Sequence, residues 1–475
     1  MQVKVVPSGL TRPTSAGGSL DATYGTTGTA DYYFSGGLAS TDSWTGYAVG
    51  QTKTVVIPPE SESVAISVVT RADNLTEQNV VTMELVPGSA YAVDPANLRA
   101  QVLIFDGPEF TLYELADSRW GSPDWSYANT MATGINGAAS PQVSGWANHI
   151  IPSYSTVGGF WQSTWGSIND LWSVRNGGTS PLPYGIANSG MLVGISGTRA
   201  FRRFGSTTTL LPPTTGTSGA YGVNPGGTDT SHYIVGFSPA AGESRPAVWV
   251  NGGNPRDLLQ NLPGGGPGIA RAVNDAGEVV GTAQLIPGQI SQPFRSKAGA
   301  AFLGAGDELP APAGAFDSSG VANAVSVGGG AGGWFRLNEF QNPKVATYWA
   351  PRSGNNPNGS GKNLSRWVPP TPGPADKLSE ALGVAQVNGT DWSVGWSGDD
   401  ETLSASNSKL KAVFMKGVGN PPVWRDLNDR HFTHGMTGWS LKKATAVNAQ
   451  GWIVGNGFLN GTARGFLLVP RAAGQ

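Results

Sequence analysis

Between Ala444 and Pro470 the chain reads ATAVNAQGWIVGNGFLNGTARGFLLVP. An apolar stretch runs into Asn-x-x-Gly, an apolar pair and a second Gly follow, and another apolar run comes after a polar gap. Alternating apolar residues around a Gly-containing turn predict a hairpin of short, half-buried strands. The order repeats with the same spacing in ARAVNDAGEVVGTAQLIPGQISQPF, from Ala270 to Phe294. Looser copies place Asn188, Gly190, Val193 and Gly194 before Ala200-Phe201, and Asn224, Val235 and Gly236 before Ala247-Val248-Trp249. Three weaker ones carry Asn136 and Gly145, Val321 and Gly328, and Asn388, Val394 and Gly395.

The seven second glycines fall at 145, 194, 236, 281, 328, 395 and 455, so the steps are 49, 42, 45, 47, 67 and 60 residues. Several units close with an aromatic strand, a Gly turn and an Asp-Leu strand, as in PAVWVNGGNPRDLL and AVFMKGVGNPPVWRDLN. A period of this length with turns inside each unit belongs to propeller or solenoid arrays. Each unit supplies about four strands, too few to be stable alone, so the sheets must pack radially and the ring must close. The last copy ends at ARGFLLVPRAAGQ without its Asp-Leu strand, whereas PEFTLYELADS stands at 108–118, just before the first copy. Phe110 to Leu115 is therefore expected to complete the seventh unit. The expectation for 108–475 is a seven-bladed β-propeller closed by an N-terminal strand.

Residues 1–107 have another texture. GTADYYFSGG, TKTVVIPPESESVAISVVTRADNLTEQNVVTMELVPGSA and NLRAQVLIFDG alternate with period 2 between Gly, Pro and Asn breaks, a β-sandwich pattern. The whole chain is thus expected to be all-β, with a boundary at FDGPEF.

Composition narrows the function. The chain has 475 residues, with 69 Gly and 34 Pro, but 16 Trp, 16 Phe and 12 Tyr give it far more apolar bulk than a disordered chain carries. A net charge of −2 with 13% charged residues offers no field for a nucleic-acid backbone and no polybasic patch for anionic lipid. Neither nucleic acid nor membrane insertion is expected. Without cysteine there is no disulfide, thiolate nucleophile or Cys-ligated metal.

The repeats, carried most fully by Ala444 to Pro470 and Ala270 to Phe294, resemble the extracellular repeats of the HAF family, with its Gly-Ile-Asn-x-x-Gly-x-Val-Val-Gly followed by Ala-Phe-Leu. That resemblance implies secreted or surface proteins and no defined chemistry. Gly28 to Tyr32, Asp73 to Glu77 leading into Val80 to Leu85, and Phe105-Asp106-Gly107 resemble a Calx-beta domain. In calcium-binding members, loop carboxylates at one end of the sandwich hold the ion. The resemblance carries over to Asp73, Glu77 and Asp106, too few for a tight site of six or more oxygens. Calcium is the one candidate ion, and no cofactor is expected.

Catalytic constellations are sparse. HFTH, with His431 and His434, lacks the i, i+4 spacing and the Glu of a zinc helix. Asp399, Asp400 and Glu401, or Asp307 and Glu308, are the acids that a polysaccharide-active glycosidase or lyase would use. Aromatic density is more informative. Trp161, with Phe160, lies on a repeat strand and is expected in the core, whereas Trp120, Trp125 and Tyr127, amid Ser, Gly, Pro and Asp, are expected to bind a ligand at the surface. The run PRSGNNPNGSGKNLSRWVPPTPGPADK reads as long loops on one face.

The N-terminus has no basic segment followed by an apolar leader. The expected protein is therefore a non-catalytic structural and recognition component of a phage virion (tail, fibre or decoration), or of a bacterial surface. Its sandwich would attach and its propeller would bind a cell-surface glycan, a protein receptor or other subunits of the assembly. The alternative is the polysaccharide-active enzyme.

Overall fold

The computed structural model describes residues 2–6, 32–35, 52–54, 67–70, 77–87, 99–106, 110–116, 129–149, 155–162, 169–170, 181–213, 216–240, 242–299, 302–304, 306–312, 319–336, 344–352, 361–363, 378–416, 425–429 and 433–471. All of the regular structure among them is β. Two compact units emerge: Met1–Phe110 with Arg430–His434 and Arg471–Gln475, and Thr111–Asp429 with Gly435–Pro470.

In the smaller unit, Thr52–Thr54, Gln2–Val6, Glu77–Val86 and Arg99–Asp106 lie side by side in that order, with antiparallel pairing. Tyr32–Ser35 pairs separately with Ser67–Thr70.

The larger unit is a seven-bladed β-propeller. The first strands of its blades are Asn129–Ile135, Leu182–Ile186, Gly219–Val223, Gly268–Val273, Gly320–Val325, Leu378–Val387 and Trp439–Val447. Each stands at the edge of an antiparallel meander. Each also packs against the first strand of the next blade, and Trp439–Val447 returns to Asn129–Ile135, so the seven form an inner ring. The seventh sheet runs outward through Ile453–Leu459 and Thr462–Pro470, with Phe110–Leu115 alongside the last. In the fourth blade, three strands are followed only by a bridge between Phe294 and Glu308.

The core lies between blades. Val235 and Leu258 of the third blade meet Ala270 and Phe294 of the fourth. Val143 and Trp161 of the first meet Val454 and Leu467 of the seventh, together with Leu115. Three fully buried tryptophans at the end of third strands anchor this packing through their ring N–H. Trp161 Nε1 donates to Ala116 O (2.7 Å), Trp249 Nε1 to Pro212 O (2.6 Å) and Trp349 Nε1 to Pro310 O (2.8 Å). The acceptors follow Phe110–Leu115, Thr207–Leu210 and the Phe294–Glu308 bridge, respectively.

The repeat glycine has a steric cause. At Gly145, Gly194, Gly236, Gly281, Gly395 and Gly455, an added Cβ would meet a carbonyl oxygen of the same blade's first strand within 3.0 Å, closer than real Cβ atoms approach. In the fifth blade the residue in this position is Gly333, against Val321 O, and not Gly328, which lies in the turn between strands. The run VGGGAGG offers several glycines, and only the register selects one.

Candidate functional site

Opposite each of these glycines the first strand carries one extra residue, a β-bulge. The register shifts lie between Ala132 and Gly134, Pro183 and Gly185, Ala220 and Gly222, Ala270 and Ala272, Ala322 and Ala324, Ala381 and Gly383, and Ala444 and Ala446. The bulge residues are therefore Thr133, Tyr184, Tyr221, Arg271, Asn323, Leu382 and Thr445.

Everything around the bulge is constrained. The residue before it pairs with the close-approach glycine and is Ala in six blades and Pro in one. The residue after it is Gly or Ala, because the next blade's bulge backbone presses on it. A Cβ on Gly222 would lie 2.7 Å from Arg271 O, and one on Gly185 would lie 3.0 Å from Tyr221 O. Then comes Ile or Val, buried in six blades and half-buried as Val325 in the fifth.

The next position begins the turn. Asn136, Asn224, Asn274 and Asn448 are all buried there. Each Oδ1 accepts from the backbone N–H that starts the second strand: Gln142 (2.7 Å), Tyr233 (2.8 Å), Glu278 (3.0 Å) and Trp452 (2.9 Å). All four amides also cross to the next blade, with Nδ2 donating from Asn136 to Ala187 O (3.0 Å), from Asn224 to Asp275 Oδ1 (2.7 Å), from Asn274 to Ser326 O (3.1 Å) and from Asn448 to Asn136 O (2.8 Å). In the second blade the turn position is held by Ala187, whose N–H bonds Met191 O, so Asn188 sits one residue later than the repeat pattern implies. In the sixth, the hairpin is longer, and Asn388 (φ 48°) with Gly389 forms its tight tip.

Between the fixed Ala (or Pro) and the Gly or Ala that flank it, the bulge residue varies, from Thr and Asn to Tyr, Leu and Arg. All seven are half-buried on the inner ring. Those of blades one, five and seven reach across to the next: Thr133 Oγ1 donates to Pro183 O (2.8 Å), Asn323 Nδ2 to Ala381 O (3.0 Å) and Thr445 Oγ1 to Ala132 O (3.2 Å). The others do not. Tyr184 and Tyr221 lie with ring centroids 5.1 Å apart, and the Arg271 guanidinium lies 4.9 Å from the Tyr221 centroid. Burial, with the Tyr221 phenol second, raises the Tyr184 pKa, and the Arg271 charge opposes that shift.

Two residues before the bulge, Glu380 and Lys443 carry charge. Glu380 accepts from Asn323 Nδ2 (2.9 Å) and Trp396 Nε1 (3.1 Å), and Lys443 Nζ lies 5.1 Å from the Trp396 ring. Burial lowers the Lys443 pKa, against the pull of Glu380.

The acids considered for glycosidic chemistry do not converge. Asp399, Asp400 and Glu401 follow a second strand, while Asp307 precedes a fourth, so they lie at opposite ends of the sheets. Glu401 pairs with Lys344 (2.6 Å) and Asp399 with Lys409. Asp307 pairs with Arg352 (3.1 Å). Arg352 also donates to Arg295 O, and the fully buried Arg295 donates to Gly329 O (2.6 Å) and Ala350 O (2.9 Å). Burial, reinforced by the Arg352 charge, lowers the Arg295 pKa to about 10. These side chains clasp the fourth and fifth blades. Glu308 is pushed upward by burial.

Trp120, Trp125, Tyr127, Asp73 and His431 lie outside the described residues, as does most of the loop run after Arg352. Strand register sets Glu77 directly opposite Asp106. Among the described residues there is no group of three His, Asp or Glu able to hold a metal, and no helix long and apolar enough to cross a membrane. His232 is buried with Nδ1 2.8 Å from Thr228 O, and burial lowers its pKa.

No protein-family model matches the chain, and no curated protein matches it. The Calx-beta and HAF resemblances thus rest on the quoted residues alone.

Proposed function

We propose that this chain is a non-catalytic recognition protein displayed on a virion or a bacterial surface, with the propeller binding a glycan or protein partner. One observation carries the reading: in a repeat whose neighbouring positions on either side of the bulge are fixed by blade packing, the half-buried bulge residues of the inner ring vary. Side chains that packing does not dictate are where a binding site can be written.

The placement outside a cell rests on the resemblance of the repeats to HAF units and of the N-terminal strands to a Calx-beta sandwich, which would serve as the attachment module. Phe110–Leu115 is read as the strand that closes the ring. In support, the Trp161 bond to Ala116 O repeats the bonds that Trp249 makes beyond the fourth strand of the second blade and Trp349 makes beyond the bridge of the fourth.

The test is a glycan-array and whole-cell binding assay on the full chain, with a Tyr184→Ala/Tyr221→Ala double variant and a Trp120→Ala/Trp125→Ala double variant. Saturable binding lost in the tyrosine variant is expected. Loss only in the tryptophan variant would move the site to the segment before the first blade. No binding by folded protein would leave a scaffolding role among other subunits.

A further inference from the structure

On the second, third and fourth blades, the consecutive bulge residues Tyr184, Tyr221 and Arg271 form no hydrogen bond among the described residues. Arg271 also has no carboxylate partner there, and its Nε is buried without a hydrogen-bond acceptor. The guanidinium rests on the Tyr221 face, which is itself tilted 49° against Tyr184. A cation partly stripped of water and held on an aromatic face gains most when an anion arrives, and the planar guanidinium fork matches a carboxylate in a bidentate pair. Tyr221 is occupied on its other contacts by Tyr184 and by Phe237, whose ring centroid lies 6.1 Å away, so it props the guanidinium. Tyr184, with no other ring against it among the described residues, offers a flat, amphipathic face to the C–H side of a pyranose ring.

We propose that this arc binds an acidic glycan, with the sugar carboxylate on Arg271, which Tyr221 props, and the sugar ring against Tyr184. The inference rests on the glycan-recognition reading above and names its ligand class. A peptide carboxylate would satisfy the arginine but leave the Tyr184 face without a matching surface.

The experiment is calorimetric titration of the full chain with probes matched except for charge: sialyllactose against lactose, and oligogalacturonate against its methyl ester, with poly-glutamate as a third arm. At least one acidic sugar is expected to bind about tenfold or more tighter than its neutral counterpart. Arg271→Gln should abolish that preference, Arg271→Lys should keep part of it, and Tyr184→Ala should weaken both members of the pair. Thermal melts of each variant establish that it is folded. Equal affinity for the charged and neutral probes, or a preference that survives Arg271→Gln, overturns the acidic class while leaving glycan recognition in place. Binding of poly-glutamate alone overturns it in favour of an acidic protein partner. Absence of binding to every probe by folded wild-type protein, in these titrations and on the array, overturns both readings.

Discussion

At the scale of single residues, the propeller depends on atoms that are missing. Gly333 leaves no room for a Cβ because Val321 O lies in its place, and that oxygen belongs to a paired strand that cannot swing away. Gly205 is a different kind of glycine: it has a positive φ of 57° but open space around the Cβ direction. Gly333→Ala must force two strands apart and is expected to cost about 3 kcal/mol, the upper part of the range for overpacking a core. Gly205→Ala strains only its own backbone, at about 1 kcal/mol. Chemical denaturation of the two variants separates the causes; equal losses would mean that the close approach is not what the glycine serves.

At the scale of the element, the bulge and the turn after it make one device. The buried Asn448 satisfies Trp452 N and Gln450 N in its own blade and Asn136 O in the first blade. Asn448→Ala would leave the buried Asn136 O and the half-buried Trp452 N without this partner, and the expected loss is about 2–4 kcal/mol. Asn388→Ala removes an exposed residue from a hairpin tip and should cost about 1 kcal/mol, through the positive φ of that position alone. Denaturant midpoints of the pair check the difference. This device was half legible in the sequence. The strong copies at Ala270 and Ala444 expose the repeat because packing fixes their residue types. The extra residue in each first strand was not legible, since an insertion shared by all seven copies alters no spacing between them. The inner-ring residues do not stand out in the sequence, because their variety looks like noise beside the recurring Ala, Gly and Asn. The fifth copy misled through its surplus of glycine, and the second because Ala187 stands where the others mostly have Asn.

At the scale of the molecule, the question is what holds a ring of weak sheets shut. Blades seven and one are joined by backbone-directed bonds from Asn448, Thr445 and Asn456, whose Oδ1 accepts from Ala132 N at 2.8 Å. Beyond the last repeat strand, Phe110–Leu115 adds a buried Phe110 and Leu115 and sets Glu114 2.7 Å from Arg464. If this strand is the clasp, deleting 1–107 should leave the propeller monomeric with one cooperative unfolding transition. Deleting 1–117 should remove two fully buried side chains, worth about 3–6 kcal/mol together, and expose Thr462–Pro470 as an open sheet edge. The expected signature is a lower melting temperature and concentration-dependent association in the shorter form only, read by scanning calorimetry and light scattering. If both truncations melt alike and stay monomeric, the ring is sealed by the cross-blade bonds of the inner strands, and Phe110–Leu115 is an accessory on its outer edge.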